Sequence, residues 1–157
     1  MKPAQPNLTH NDLVQRAIRW LLCRCNVVIS EMVSASPETA DAIGFNMGKT
    51  ILIEAKSSRA DFFKDRYKFF RRSPEKGMGS QRYYITAPCL VSVNELPEGW
   101  GLLELRGSVV KVIRQSACFP ERNMRSEQIL MTLAIRRTNV NSVRGLHVKL
   151  EKKVVFP

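Results

Sequence analysis

The stretch over residues 41–56 constrains this chain most, because it joins a turn signal to a strand and to three charged side chains. Asn46 and Gly48 supply the permissive backbone that a tight hairpin needs. A β-branched, apolar run follows at residues 50–53 and is typical of a strand. We therefore predict a β-hairpin that folds back at Met47 and Gly48.

The predicted register brings charged groups together at the open end of this hairpin. If Asn46 pairs with Lys49, then Asp41 lies opposite Glu54, and directly opposed residues share a face of the sheet. Lys56 lies on the same face, because strand side chains alternate with a period of two. Two carboxylates this close repel each other unless a cation lies between them, and oxygen ligands of this kind suit Mg²⁺ or Mn²⁺.

An aspartate, a β-hairpin and a Glu-x-Lys motif resemble the signature of the PD-(D/E)xK nuclease superfamily. The continuation EAKSSRADF at residues 54–62 resembles its short phage and bacterial members, including the MmcB-like group linked to DNA repair. The resemblance extends over residues 10–115. It departs from the pattern at Pro37, which stands four residues before Asp41 instead of next to it.

The resemblance implies a restriction-endonuclease-like α/β fold, with a central mixed β-sheet flanked by helices in a single domain. It implies a Mg²⁺- or Mn²⁺-dependent deoxyribonuclease in DNA repair, recombination or phage DNA metabolism. Asp41, Glu54 and the carbonyl of Ala55 would hold the metal, and Lys56 would act in catalysis. Glu31 fits an additional glutamate that members of the family place upstream of the aspartate.

Each of these residues also has a structural interpretation. Asp41 fits a turn residue at the end of a loop, and Glu54 with Lys56 fits a surface ion pair at the end of a strand. Glu31 has the parity of Val27 and Ile29 in a predicted strand over residues 27–33, where it would share an apolar face. It equally fits a glutamate at a strand end, in solvent or paired to an arginine.

The charge balance favours a polyanionic partner. The chain has 25 Lys and Arg residues against 14 Asp and Glu residues, a net charge of +11. Nucleic acid is the commonest partner of such a protein, and we expect DNA. The alternative is that the charge serves only solubility.

A predicted helix over residues 58–72 carries the densest positive charge. Its six basic residues exceed its two aspartates by four, and its aromatic residues recur at helical spacing, which predicts packing on the sheet. Asp61 fits the capped first turn better than a metal site. Next comes a glycine-rich loop at residues 73–80, which fits either a phosphate contact or a flexible connector. The predicted nucleic-acid-binding residues are Arg59, Lys64, Lys68, Arg71, Arg72 and Lys76, with Gln81 or Arg82 at the site end of the sheet.

The remaining patterns predict a flexible arm at residues 1–9, a nuclease-like domain at 10–138 and an extension at 139–157 that forms an edge strand or a hairpin. Within the domain we predict helices over 11–25 and 121–137, a strand over 81–87 and a hairpin over 100–113. Thr9 and Asn11 are both candidate N-caps of the first helix.

No apolar run reaches the length of a membrane span, and the start of the chain has no signal-peptide layout, so we expect a cytoplasmic protein without membrane contact. The four cysteines are expected to be free thiols. The main alternative function is a catalytically inactive nucleic-acid-binding protein with a nuclease-like fold. A third is a basic accessory protein whose carboxylates are structural. The sequence leaves open a homodimer or a protein partner.

Overall fold

The fold is built on a six-stranded sheet whose strands follow one another in chain order. In the computed structural model, which describes residues 7–138, 140, 142–143 and 145–147, the sheet order is β1-β2-β3-β4-β5-β6. The strands are β1 (Val27–Ser30), β2 (Ala42–Asn46), β3 (Lys49–Lys56), β4 (Gln81–Thr86), β5 (Gly101–Arg106) and β6 (Val109–Arg114).

The sheet is mixed. The hairpins β1–β2, β2–β3 and β5–β6 are antiparallel, whereas β3–β4 and β4–β5 are parallel. Helices flank it: α1 (His10–Leu22), α2 (Arg59–Asp65), α3 (Phe69–Arg72) and α4 (Met124–Arg136). The chain is a single α/β domain, and the predicted fold class is confirmed. The architecture is consistent with a restriction-endonuclease-like core.

The predicted hairpin is confirmed in its register. Asn46 pairs with Lys49 and Ala42 pairs with Ile53, so the loop residues are Met47 and Gly48. Gly48 has φ +71°, a conformation that side-chain-bearing residues rarely adopt, and Met47 is 97% exposed. Continuing the same register by one residue places Asp41 opposite Glu54.

Two apolar layers cover the two faces of the sheet. On one face, α1 begins at the N-cap Thr9, one of the two predicted candidates, and packs Leu13, Ala17 and Leu21 against strand residues such as Ile53. On the other face, α2 and α4 contribute Phe62 and Leu130 to a second cluster, which includes Leu52, Tyr84 and Trp100. Leu52 has the parity of Glu54 and Lys56, so those two charged residues belong to the face that α2 covers.

The predicted helix over residues 58–72 is interrupted. Ser58 caps α2 as expected, but α2 ends at Asp65, and α3 begins at Phe69 after Lys68 adopts an extended conformation with ψ 135°. The break turns two aromatic rings away from the core, because Tyr67 is 72% exposed and Phe69 is 50% exposed. The prediction that the whole aromatic set packs on the sheet is therefore wrong for these two.

The described part of the C-terminal extension forms a separate two-stranded hairpin, β7 (Ser142–Val143) with β8 (Leu146–His147). Residues 1–6 of the predicted arm and the rest of the predicted extension, including 148–157, lie outside the described residues. Within the described ranges, no helix combines the length and the apolar character that crossing a membrane would require.

Candidate active site

Asp41 closes the open end of the β2–β3 hairpin. Strand β2 begins one residue after it, beyond the last residue pair of the β2–β3 ladder. The Ala55 N–H donates to Asp41 Oδ2, at 2.7 Å. This bond fixes one carboxylate oxygen against β3. The other oxygen, Oδ1, lies 3.7 Å from His10 Nε2.

Glu54 and Lys56 are the next two residues on the same face of β3, and both are almost fully buried. Lys56 Nζ lies 3.4 Å from Glu54 Oε2 and 3.1 Å from Asp65 Oδ1 at the end of α2. A buried charge is tolerated only when it is paired, and this ammonium has two carboxylates. The alternative interpretation of Glu54 and Lys56 as a surface ion pair is wrong, because their side chains are only 2% and 6% exposed.

Arg71 holds three carboxylates at once. Its guanidinium donates to Asp65 Oδ2 at 2.6 Å and to Glu38 Oε1 at 3.0 Å, and its Nη2 lies 3.5 Å from Glu54 Oε1. Lys68 completes this group, with Nζ 2.8 Å from Asp65 Oδ1 and 3.3 Å from Glu54 Oε2. We call these residues the paired half of the site, in which three carboxylates meet three cations: Glu38, Glu54, Asp65, Lys56, Lys68 and Arg71.

Two further carboxylates and one imidazole form what we call the open half: Glu31, Asp41 and His10. His10 Nε2 lies 3.3 Å from Glu31 Oε1 and 3.7 Å from Asp41 Oδ1. One ligand atom from each of the three can be chosen so that all lie within 4.8 Å of one another. These two carboxylates have an imidazole, but no lysine or arginine, among their described ion pairs.

The prediction that Glu31 shares an apolar strand face is wrong, although the residue does reach Asp41's neighbourhood. Strand β1 ends at Ser30, and Glu31 lies beyond it with φ +48°, in the left-handed region. Its side chain is 54% exposed and contacts His10, not the core. Strained backbone of this kind is concentrated at functional sites, which makes Glu31 a candidate on structural grounds as well.

The electrostatics differ between the two halves. Burial, and next the charge of Glu54, raise the pKa of Asp41 to about 6. Burial also acts to raise the pKa of Asp65, but Arg71 and Lys56 outweigh it and hold that pKa well below its ordinary value. Burial lowers the pKa of Lys68, and Glu54 and Asp65 outweigh it and raise that pKa. Asp65 and Lys68 are therefore held in their ionised forms, whereas burial raises the pKa of Glu38, as it raises that of Asp41.

The open half offers three donor groups that fit a divalent cation, and Glu54 is the carboxylate of the paired half whose charge acts on Asp41. Glu54 Oε1 is buried and accepts no hydrogen bond within the described structure. The pKa of Asp41 is raised first by burial and next by the nearby charge of Glu54, so its ionised form lacks a sufficient counter-charge. A hard cation bound beside Asp41 would supply the counter-charge that this carboxylate lacks, whereas Glu54 Oε1 already lies 3.5 Å from Arg71 Nη2. Asp41, Glu54 and Glu31 are the available carboxylates, with His10 as a nitrogen ligand.

Two of the predicted nucleic-acid-binding residues are buried structural residues instead. The Arg71 side chain is 2% exposed in the paired half. Arg82 is 1% exposed and donates to the carbonyls of Pro74, Gly77 and Gly79, which holds the glycine-rich loop against the sheet. The loop is thus tied to β4 by the guanidinium of Arg82.

Gln81 and Arg82 also lie at the wrong end of the sheet for the predicted role. Strand β4 runs parallel to β3, with Gln81 beside Ile51 and Tyr84 beside Glu54. The start of β4 is therefore three residues away from the level of Glu54. The sequence could not reveal this, because the strand pattern contains no signal for parallel or antiparallel pairing.

The other predicted basic residues lie on the outer surface. Lys64, Arg72 and Lys76 are exposed on α2, α3 and the following turn. Arg59 is exposed as well, but it donates to Glu95 and to the Leu90 carbonyl. Lys68 belongs to both regions, since its ammonium contacts Glu54 and its side chain is 38% exposed.

Sequence reasoning missed Glu38, Asp65 and His10. Asp65 appeared only as a negative charge on a basic helix, and its burial follows from the helix break that sequence periodicity did not detect. Glu38 is 33 residues from its partner Arg71, and His10 is 31 residues from Asp41. Only the fold brings these pairs together.

No protein-family model matches the chain, and no curated protein matches it significantly. Among solved structures, the fold is similar to that of SPO1766, a protein of unknown function from Silicibacter pomeroyi. The two share 25% sequence identity and a TM-score of 0.63, over 83% of this chain and 90% of that one. The similarity supports the fold and carries no information on activity.

Proposed function

We propose that this protein is a metal-dependent deoxyribonuclease of the PD-(D/E)xK type, which hydrolyses phosphodiester bonds of DNA. The observation that carries the proposal is the meeting of Asp41, Glu54 and Lys56 at one end of one hairpin, in the register that the signature requires. The four free cysteines fit a reducing compartment, so we place the protein in the cytoplasm with its DNA, in repair, recombination or phage DNA metabolism.

The metal ligands in this proposal are Asp41 and Glu54, with the carbonyl of Ala55 and the Glu31 carboxylate beside them. A bound Mg²⁺ or Mn²⁺ supplies an activated water and neutralises charge on the phosphate. His10 adds a nitrogen ligand, which favours Mn²⁺ over Mg²⁺.

Lys56 has the proposed role of orienting the attacking water and stabilising negative charge as it develops on the phosphate. Such preorganised donors in a buried site contribute strongly, because they need no reorganisation during the reaction. Asp65 and Glu54 keep the Lys56 ammonium in place from two sides. Lys68 is the partly exposed ammonium of the group and is therefore the one that an incoming phosphate would meet first.

A second candidate is a nucleic-acid-binding protein with the same fold and no turnover. One observation favours it: Glu54 already has the ammonium groups of Lys56 and Lys68 near one oxygen and Arg71 near the other. Cations this close compete with a metal ion for the carboxylate. The open half argues against this second function, because its carboxylates carry negative charge that these three cations do not contact.

Cleavage assays on the purified protein test the proposal. Single-stranded, duplex, flapped and branched DNA, together with RNA, are incubated with Mg²⁺, with Mn²⁺ or with EDTA. We expect metal-dependent cleavage of DNA, and a loss of about 10²- to 10³-fold in rate for Glu54→Gln or Lys56→Met.

Glu127→Gln is the matched control for these variants. Glu127 is also a buried, ion-paired glutamate, but it contacts Arg122 and Thr50 at the opposite end of β3 from the site. We expect this variant to lose stability and keep the cleavage rate per folded molecule. If the wild type leaves every nucleic acid intact with both metals, the nuclease proposal is wrong and the binding function is favoured.

A further inference from the structure

Lys68, which belongs to both the site and the surface, lies between two exposed aromatic residues, Tyr67 and Phe69. Ten large apolar side chains in the described part of the chain are exposed, and the aromatic ones among them are Tyr67 and Phe69, at 72% and 50%. Lys68 lies between them in sequence, with its ammonium on Glu54. Consecutive Cα atoms are about 3.8 Å apart, so both rings start within one residue of the proposed active site.

The helix break produces this arrangement. An uninterrupted helix would have carried these rings around its axis, and one of them onto the sheet. Because Lys68 is extended, its side chain reaches inward while its two neighbours remain in solvent. Exposed apolar side chains are common singly, whereas two exposed aromatic rings close together in the chain are typical of a binding surface.

Exposed basic residues lie close in sequence to the two rings, and one of them contacts Phe69. Lys76 Nζ lies 5.3 Å from the centroid of the Phe69 ring, and Lys64 and Arg72 are exposed on the two adjoining helices. Arg66, next to Tyr67, is exposed and lies 4.7 Å from the Phe63 ring centroid. Interleaved aromatic and basic side chains are the combination that binds single-stranded nucleic acid, in which bases stack on rings and phosphates contact the cations.

We propose that Tyr67 and Phe69 form a base-stacking platform that presents an unpaired stretch of DNA to the site. This inference rests on the proposed function for the identity of the polymer and adds its substrate class: single-stranded DNA, or a flap with a single-stranded arm. Duplex DNA does not offer the faces of its bases to such rings, because they are stacked on one another. A platform of two rings is also sequence-tolerant, since every base has a face.

Binding in EDTA tests the platform separately from catalysis. Anisotropy of a labelled oligothymidylate and of a labelled hairpin duplex is measured for the wild type, Tyr67→Ala, Phe69→Ala and the conservative variants Tyr67→Phe and Phe69→Tyr. We expect the wild type to favour the single strand. Each alanine variant should weaken single-strand binding about tenfold and duplex binding less than twofold, while the conservative variants retain affinity.

Val109→Ala and Arg72→Ala are the controls. Val109 is an exposed apolar residue on β6, at 64%, so its removal should change neither affinity. Arg72→Ala should weaken single-strand and duplex binding alike and reduce the salt dependence, because phosphate contacts do not distinguish the two. Thermal melting of each variant confirms that the surface substitutions leave the fold intact.

The outcomes separate this inference from the proposed function. Wild-type protein that binds the duplex as tightly as the single strand overturns the platform, and so do alanine variants with unchanged single-strand affinity or a protein that binds neither. Unchanged affinity would assign the two rings to a protein partner. The proposal of metal-dependent cleavage would not be affected by that result. Conversely, a ring-dependent single-strand preference without any cleavage supports the platform and removes the nuclease.

Discussion

The two halves of the site differ in how their carboxylates are neutralised. In the paired half, Glu38, Glu54 and Asp65 meet Lys56, Lys68 and Arg71 at distances from 2.6 to 3.5 Å. In the open half, Glu31 and Asp41 have His10 as their ion-pair partner in the described structure. The first arrangement holds helices α2 and α3 on the sheet. The second leaves charge for a ligand to neutralise.

The comparison teaches that one acidic cluster can serve stability and chemistry at the same time. A buried carboxylate without a counter-charge destabilises the fold, so most of the cluster is paired. At the edge of the cluster, Asp41 is 19% exposed and Glu31 is 54% exposed, and neither has a lysine or arginine among the ion pairs of the described residues. Three experiments test this division, from the largest expected effect to the smallest.

Removing the central cation of the paired half should have the largest effect. Arg71→Leu leaves Glu38 and Asp65 buried without their main partner, so we expect the free energy of unfolding to fall by about 3 to 5 kcal/mol in urea denaturation. Arg72→Leu is the matched control, because the neighbouring arginine is exposed and its loss should change stability by less than about 0.5 kcal/mol. Equal effects of the two substitutions would contradict the paired half.

Neutralising the open half should act in the opposite direction. In metal-free protein the pKa of Asp41 is raised from 3.8 to about 6, so the native state binds more protons than the unfolded state between these values. Stability contributed by this group therefore falls as the pH rises through that window. We expect Asp41→Asn to be about 2 kcal/mol more stable than the wild type near pH 7.5 in EDTA, with little difference near pH 4.

Asp12→Asn provides the contrasting control for this measurement. The hydrogen bonds from Thr9 hold the pKa of Asp12 below its ordinary value, so its ionised form supports the first helix. Its substitution should therefore lower stability near neutral pH instead of raising it. If Asp41→Asn is less stable than the wild type near pH 7.5, the negative charge of Asp41 is already neutralised by other groups in the native state.

The imidazole of the open half should have the smallest effect. His10→Ala is expected to weaken Mn²⁺ binding about tenfold in calorimetry and to weaken Mg²⁺ binding less, since imidazole is a better ligand for Mn²⁺. His147→Ala, on the C-terminal hairpin, should leave both affinities unchanged. An unchanged Mn²⁺ affinity in His10→Ala would restrict the proposed metal site to the carboxylates.

Much of the fold and the centre of the candidate site could be predicted from local patterns. The hairpin at Met47 and Gly48 depends on a short-range signal, namely a glycine at a positive φ between two apolar runs, and its register follows from counting outward. That register alone placed Asp41 opposite Glu54. The helix α1 and its cap at Thr9 were predictable for the same reason, because periodicity and capping act within a few residues.

The residues that the sequence misassigned depend on distant partners. Arg71 looks like a surface cation in a basic helix, and only the approach of Glu38 and Glu54 from other parts of the chain makes it a buried one. Arg82 was expected at the site, whereas the parallel pairing of β4 with β3 carries it to the other end and its guanidinium binds loop carbonyls. Exposure and burial of charged side chains follow from these long-range contacts.

The sequence by itself therefore determined the hairpin, its register and the meeting of two acids and one amine, because turn geometry and strand alternation are local. The tertiary structure alone decided which charges are paired, where the basic helix breaks and which aromatic rings remain exposed. Those outcomes depend on the free energy of burying charge, and a charge finds its partner only after the sheet has brought distant segments into contact.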